Sequence, residues 1–102
     1  MKEDIIVAKK MLDKGYSVVI CYKGAVLTSN KELFSALTEF IDSKLDFSMF
    51  SLAANEILES HAKLVNDLKI KDVIAYKISD KAKNILDNYD INCNYLELTI
   101  EN

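Results

Sequence analysis

The chain has 102 residues, 50% hydrophobic and 28% charged, with a formal net charge of −3, a size that suits one domain spanning residues 1–102 and needing no staples. The acidic balance argues against a nucleic-acid backbone as partner, and no stretch approaches the roughly 20 apolar residues of a membrane span. The two cysteines, Cys21 and Cys93, are too few for a disulfide framework and read as buried thiols.

Residues 2–14 read as a helix: Ile5, Ala8, Met11 and Leu12 share a face, and Glu3 and Asp4 suit its N-terminal dipole. The acidic start 1–4 and the short apolar run after it do not make a signal peptide, so the expected location is cytoplasmic. Gly15 can close the helix in a left-handed conformation. Residues 16–22 are β-branched and aromatic, Lys23-Gly24 makes a tight turn, and residues 25–28 return, which together predict a β-hairpin.

Ser29 with Glu32 three residues later fits a capping box for a helix burying Leu33, Phe34, Leu37, Phe40 and Ile41. Residues 44–50 are a connector, with Phe47 and Phe50 plugging the core edge. Ser51 caps the next helix, expected over about 52–68, on the stripe Ala54, Ile57, Leu58, His61, Leu64, Val65 and Leu68. A strand follows over 73–78, then a short helix capped by Ser79 and Asp80 and burying Ala82, Ile85, Leu86 and Tyr89. The last strand starts at Ile91, and its apolar phase switches between Tyr95 and Leu96, which predicts a bulge or a break.

The segment between these last strands suffices for a right-handed parallel crossover. The element order is α-β-β-α-α-β-α-β. The expected fold is α/β, a three-layer α/β/α sandwich on a mixed sheet of about four strands.

That order, with the apolar run Val18 to Cys21, the connector Phe47-Ser48-Met49-Phe50-Ser51, the entry Ala53-Ala54-Asn55 and the run Lys71 to Ser79, resembles the bacterial family known as domain of unknown function 1893. The resemblance spans about residues 4–96 and implies a cytidine deaminase-like fold with no recorded activity. The family tends to place an Asp and then a Gly-Lys pair early in its third helix. Here Asn55, Glu59 and Ser60 stand at those positions.

Deaminase chemistry needs a zinc ion, three His/Cys ligands and a proton-shuttling Glu at two helix starts. The matching starts are Ala54-Asn55-Glu56 and Ser79-Asp80-Lys81-Ala82. Glu56 could imitate the shuttle, but no ligand residue stands beside it. No metal site and no cofactor are expected, because His61, Cys21 and Cys93 lack partners at ligand spacing. His61, the single histidine, falls on an apolar stripe; it reads as a half-buried imidazole bonded to backbone or a hydroxyl, or else as a pocket acid/base. Ser51, Asn55, Ser79 and Asp80 read as caps, or as the rim of a crevice at the carboxyl ends of parallel strands that takes a small anionic or nucleoside-like ligand. With Glu56 and His61 they make the candidate site.

Three functions follow. The first is a non-catalytic ligand-binding or regulatory module that takes a small molecule. The second is self-association into a homodimer through sheet edges and the apolar last strand. The third is a metal-free enzyme using His61 or Glu56. Neither nucleic acid nor a membrane is expected as a partner.

Overall fold

A computed structural model describes residues 2–102, with side chains described from residue 6 onward. The expected roles of the acidic start 1–4 and of Ile5 lie outside those described side chains. The chain forms α1 (Lys2–Asp13), β1 (Val18–Tyr22), β2 (Ala25–Ser29), α2 (Leu33–Asp42), β3 (Ser51–Ile57), α3 (Glu59–Asp67), β4 (Asp72–Ser79), α4 (Asp80–Asn88) and β5 (Asn92–Thr99).

The sheet has five strands in the order β2-β1-β3-β4-β5, where about four were expected. β1 runs antiparallel to both β2 and β3, while β3, β4 and β5 are mutually parallel. The additional strand is β3, on the ground expected to start a helix over 52–68. Its run Ser51 to Ala54 is buried throughout, as a strand covered on both faces should be. Val18 to Cys21 in β1 are likewise fully buried. Each such large apolar side chain contributes about 1.5–3 kcal/mol over its exposed state.

The two faces are covered unequally. On one, α2, α3 and α4 bury Leu37, Val65 and Leu86 against Ile20, Leu52 and Val73. On the other, α1 packs Ala8 and Leu12 on Val19, Cys21 and Ala53. The result is an α/β/α arrangement with a single helix on its thinner side. Phe47 is buried and Phe50 half-buried at the core edge, their rings 5.5 Å apart, as the connector reading expected. Phe34 and Tyr89, assigned to buried stripes, are instead exposed.

Two further local expectations are corrected. Glu32, not Ser29, caps α2: its carboxylate accepts the N–H groups of Phe34 at 3.0 Å and Ser35 at 3.4 Å. A carboxylate at this position meets the positive end of the helix dipole, which a serine hydroxyl cannot do. Ser29 ends β2 and its hydroxyl accepts the N–H of Lys31.

β5 neither bulges nor breaks: it holds one register against β4 from Asn92 to Thr99. The phase switch is shared with the neighbouring parallel strands β3 and β4. Leu52 and Ala54 face the larger core in β3, as do Val73 and Ala75 in β4; beyond them Ile57 and Ile78 take that place. A bulge adds a residue to one strand and shifts the register. Here the strands change phase together and the register is kept.

Candidate functional site

Parallel β3 and β4 end side by side, Ile57 paired with Ile78. α3 and α4 begin immediately beyond them, so two helix N-termini open at the same edge of the sheet. Unpaired N–H groups at such ends favour negative charge.

Ser79 ends β4 and caps α4. Its buried hydroxyl accepts the N–H of Ala82 at 3.0 Å and donates to the carboxylate of Glu101 at 2.6 Å. The same Glu101 oxygen accepts the N–H of Glu59, the first residue of α3, at 3.0 Å. Glu101 thus bridges both helix starts. Its own N–H donates at 3.1 Å to Asp80, whose carboxylate also accepts the N–H of Lys81 at 2.8 Å. The bond from Ser79, followed by that from Glu59, holds the Glu101 carboxyl below its ordinary pKa.

His61 lies in the first turn of α3, 8% exposed. Its Nδ1 accepts the N–H of Leu58 at 3.0 Å, one half of a reciprocal capping arrangement that the apolar Leu58 side chain cannot complete. Nε2 faces the Glu32 carboxylate at 3.7 Å, which brings the start of α2 to the same edge. Burial lowers the His61 pKa; Glu32, Glu101 and Glu56 oppose it without prevailing. The Glu32 carboxyl is lowered chiefly by the Phe34 N–H.

Five of the six expected site residues gather here. His61, Ser79 and Asp80 stand at the helix starts. Asn55 and Glu56 lie near the carboxyl end of β3, exposed and on a strand rather than in the expected first helical turn. Ser51 does not join them. It begins β3 at the opposite end, buried and paired with Cys21 and Asp72, and caps no helix.

Glu32 and Glu101 were missed. Glu32 could have been found from its place before an apolar helix, as an acidic cap. Glu101 carried no local signal, because its partners lie 22 and 42 residues away in sequence.

The helix starts read Leu58-Glu59-Ser60-His61 and Ser79-Asp80-Lys81-Ala82. They do not fit a zinc ion. The Nδ1 of His61 is occupied by a backbone N–H, and no group of three or more His, Cys, Asp or Glu able to hold a metal occurs among the described residues. What the arrangement offers is a set of backbone and hydroxyl donors satisfied from within the chain.

A separate cleft of about 80 Å³ lies on the thinner face, between α1 and β4–β5, and includes Leu12, Ile74, Tyr76 and Leu96. It is well below the ~300 Å³ at which small-molecule pockets begin. No helix among the described residues is long and apolar enough to cross a membrane.

The comparison with curated proteins gave no match. Among solved structures, the chain is similar to the crystal structure of a DUF1893 family protein from Thermotoga maritima. The TM-score is 0.82 at 18% identity, covering 97% of this chain and 68% of that one; likeness at that identity is one of fold. The family model described as "domain of unknown function (DUF1893)" matches residues 6–99. The chain therefore belongs to the DUF1893 family.

Proposed function

We propose that the chain is a non-catalytic ligand-binding or regulatory module on a cytidine deaminase-like scaffold, acting in the cytoplasm. Its ligand, a small molecule, enters the crevice between the starts of α3 and α4. The observation that carries this reading is that both helix starts offer hydrogen-bond donors to one anionic group, the Glu101 carboxylate, while a zinc deaminase would hold His/Cys ligands at such starts. Support for the scaffold comes from the parallel run β3-β4-β5 with helices opening at the carboxyl edge, where ligands of α/β sheets bind.

A thermal-shift screen against nucleosides, nucleotides, small carboxylates and divalent metals tests this. A ligand at 100 times its Kd should add about 2.7 kcal/mol of stability. The expected result is a metal-independent shift with the compound recovered unchanged. Turnover of any nucleoside or nucleotide by the purified protein would overturn the reading.

A second reading is favoured by β5. This edge strand pairs with β4 alone and exposes Leu96 and Leu98 at 77% and 50%, and Ile100, just past its end, is 84% exposed. An open apolar edge is a template for pairing with another strand, here from a second copy of the chain. Sedimentation should find a dimer that Leu96→Lys dissociates; a monomer at high concentration would remove this reading.

A further inference from the structure

We propose that two copies of the chain join edge to edge through the first half of β5, antiparallel, with Asn94 on the two-fold axis and Lys83 of each α4 beside Asp87 of the other. This rests on the self-association reading above and gives that contact its register and its charge pairing.

An unpaired strand edge is completed by another strand. The described sheet ends in β2 on one side and β5 on the other. β2 is only five residues long, and shortness itself blunts an edge. β5 is eight residues long and carries no proline, lysine or arginine, the residues that commonly block one. The Asn92 N–H is spent on the Lys71 carbonyl at 2.8 Å, on the β4 side. Backbone groups alternate in direction along a strand, so those of Cys93 and Tyr95 point out of the open edge.

Side chains alternate regularly over residues 92–96: Cys93 packs toward the larger core, while Asn94 and Leu96 line the cleft on the thinner face. Leu98, beside Ile78, has changed phase. A strand matches itself face for face only within one phase, which confines self-pairing to residues 92–96. The two-fold axis of that segment falls on its middle residue, Asn94. Asn92 then stands opposite Leu96 of the second copy and Cys93 opposite Tyr95, whose outward N–H and C=O groups bond in pairs. The segment contains no charged side chain.

The charges above the seam select the same axis. α4 packs over both β4 and β5. With strands about 4.8 Å apart, the α4 helices of two joined sheets lie about 10 Å apart, the usual distance of packed helices, and run antiparallel. Lys83 and Asp87 both act on the Cys93 thiol, and Lys83 is influenced by Tyr95 as well, so this pair sits level with the first half of β5, next to its open edge. Within one helix the two are joined at 2.7 Å. Rotation about Asn94 brings Lys83 opposite Asp87 of the second copy, twice, so that opposite charges meet along the seam.

The test uses the full chain with Cys93→Ser and one of Asn94→Cys, Leu96→Cys or Leu98→Cys, oxidised mildly with copper phenanthroline. A residue on the axis faces its own copy at about 4.5–5.5 Å between Cα atoms, within disulfide reach. Leu96 would lie about 13 Å from its counterpart and Leu98 about 26 Å. Asn94→Cys alone should therefore cross-link. In sedimentation, Lys83→Asp or Asp87→Lys should each weaken the dimer about tenfold, and the double reversal should restore it. A dimer in which Asn94→Cys is not the variant that cross-links, or which ignores the charge reversals, overturns this register and leaves self-association standing. Growth into filaments, the product of β5 meeting β2 of another copy, overturns the two-fold pairing. A monomer at high concentration overturns both this proposal and the reading it rests on.

Discussion

Nδ1 of His61 accepts the Leu58 N–H at 3.0 Å, and this commits Nε2 to carry the proton toward Glu32, 3.7 Å away. The neutral ring is held in one tautomer, and burial pushes its pKa below 6.5. Long-range nitrogen–proton spectra should show the Nε2–H form at neutral pH. Because the Glu32 charge is the largest influence raising this pKa, Glu32→Gln should move the midpoint lower still. The sign for stability follows. Below pH 6.5 the unfolded chain binds the proton first, so stability falls as pH drops from 6.5 toward the folded midpoint. His61→Gln should flatten that part of a stability–pH curve.

The carboxylates act in a lower window. Glu32 and Glu101 both have folded pKa values below 4.5, so the stability they supply is complete above that pH. It is lost as pH falls through their folded values. Urea unfolding measured from pH 5 to pH 2.5 should fall less steeply in Glu101→Gln than in wild type. An unchanged slope would mean that the bonds to Ser79 and Glu59 carry no linkage.

The hairpin, α1, β4 and the crossover through α4 were legible because local chemistry and tertiary role agree there: β-branched runs, a Lys-Gly turn, a serine cap. β3 was not. Its residues Leu52 to Ile57 include alanine, leucine and glutamate, good helix formers, and Ala54, Ile57, Leu58 and His61 repeat at helical spacing into the true helix α3. The competing signal was the unbroken buried run from Ser51 to Ala54, which suits a central strand. That error carried Ser51 into the candidate site, while Asn55 and Glu56 reached the right edge on the wrong element. Glu101 was out of reach, since only the packing of β5 beside β4 returns the tail to Ser79.

Ser79→Ala should cost about 1–2 kcal/mol in urea unfolding. A lost N-cap typically costs about 1 kcal/mol, and here the same hydroxyl also serves Glu101. Hydrogen exchange at the Ala82 amide should accelerate selectively, because that N–H loses its acceptor at 3.0 Å. A global acceleration equal at all core amides would indicate lost packing instead of a lost cap.

Cys93 is half-buried on β5, and burial pushes its thiol pKa up to about 11. The thiolate is the reactive form, so alkylation by iodoacetamide at pH 8 should run about two orders of magnitude slower than for an unperturbed thiol of pKa ~8.5. Cys21 is fully buried and should be slower again. Both should react at once in denaturant, and rapid labelling of Cys93 in the native protein would show that β5 opens locally.

The hairpin turn holds two residues at positive φ, Lys23 at 47° and Gly24 at 85°, the pattern of a type I′ turn. At Gly24 a side chain would meet no neighbouring atom, so Gly24→Ala isolates the backbone penalty of about 1–2 kcal/mol. Lys23 already bears such a penalty. Asparagine tolerates this conformation better, yet Lys23→Asn also removes the ammonium placed 5.4 Å from the Tyr22 ring centroid. An exposed cation–π contact contributes about 0.5–1 kcal/mol, less than the full backbone penalty. The net effect of Lys23→Asn should therefore be a small gain, up to about 1 kcal/mol, read as a higher urea midpoint at unchanged m. A lower midpoint would mean that the Tyr22 contact outweighs the turn.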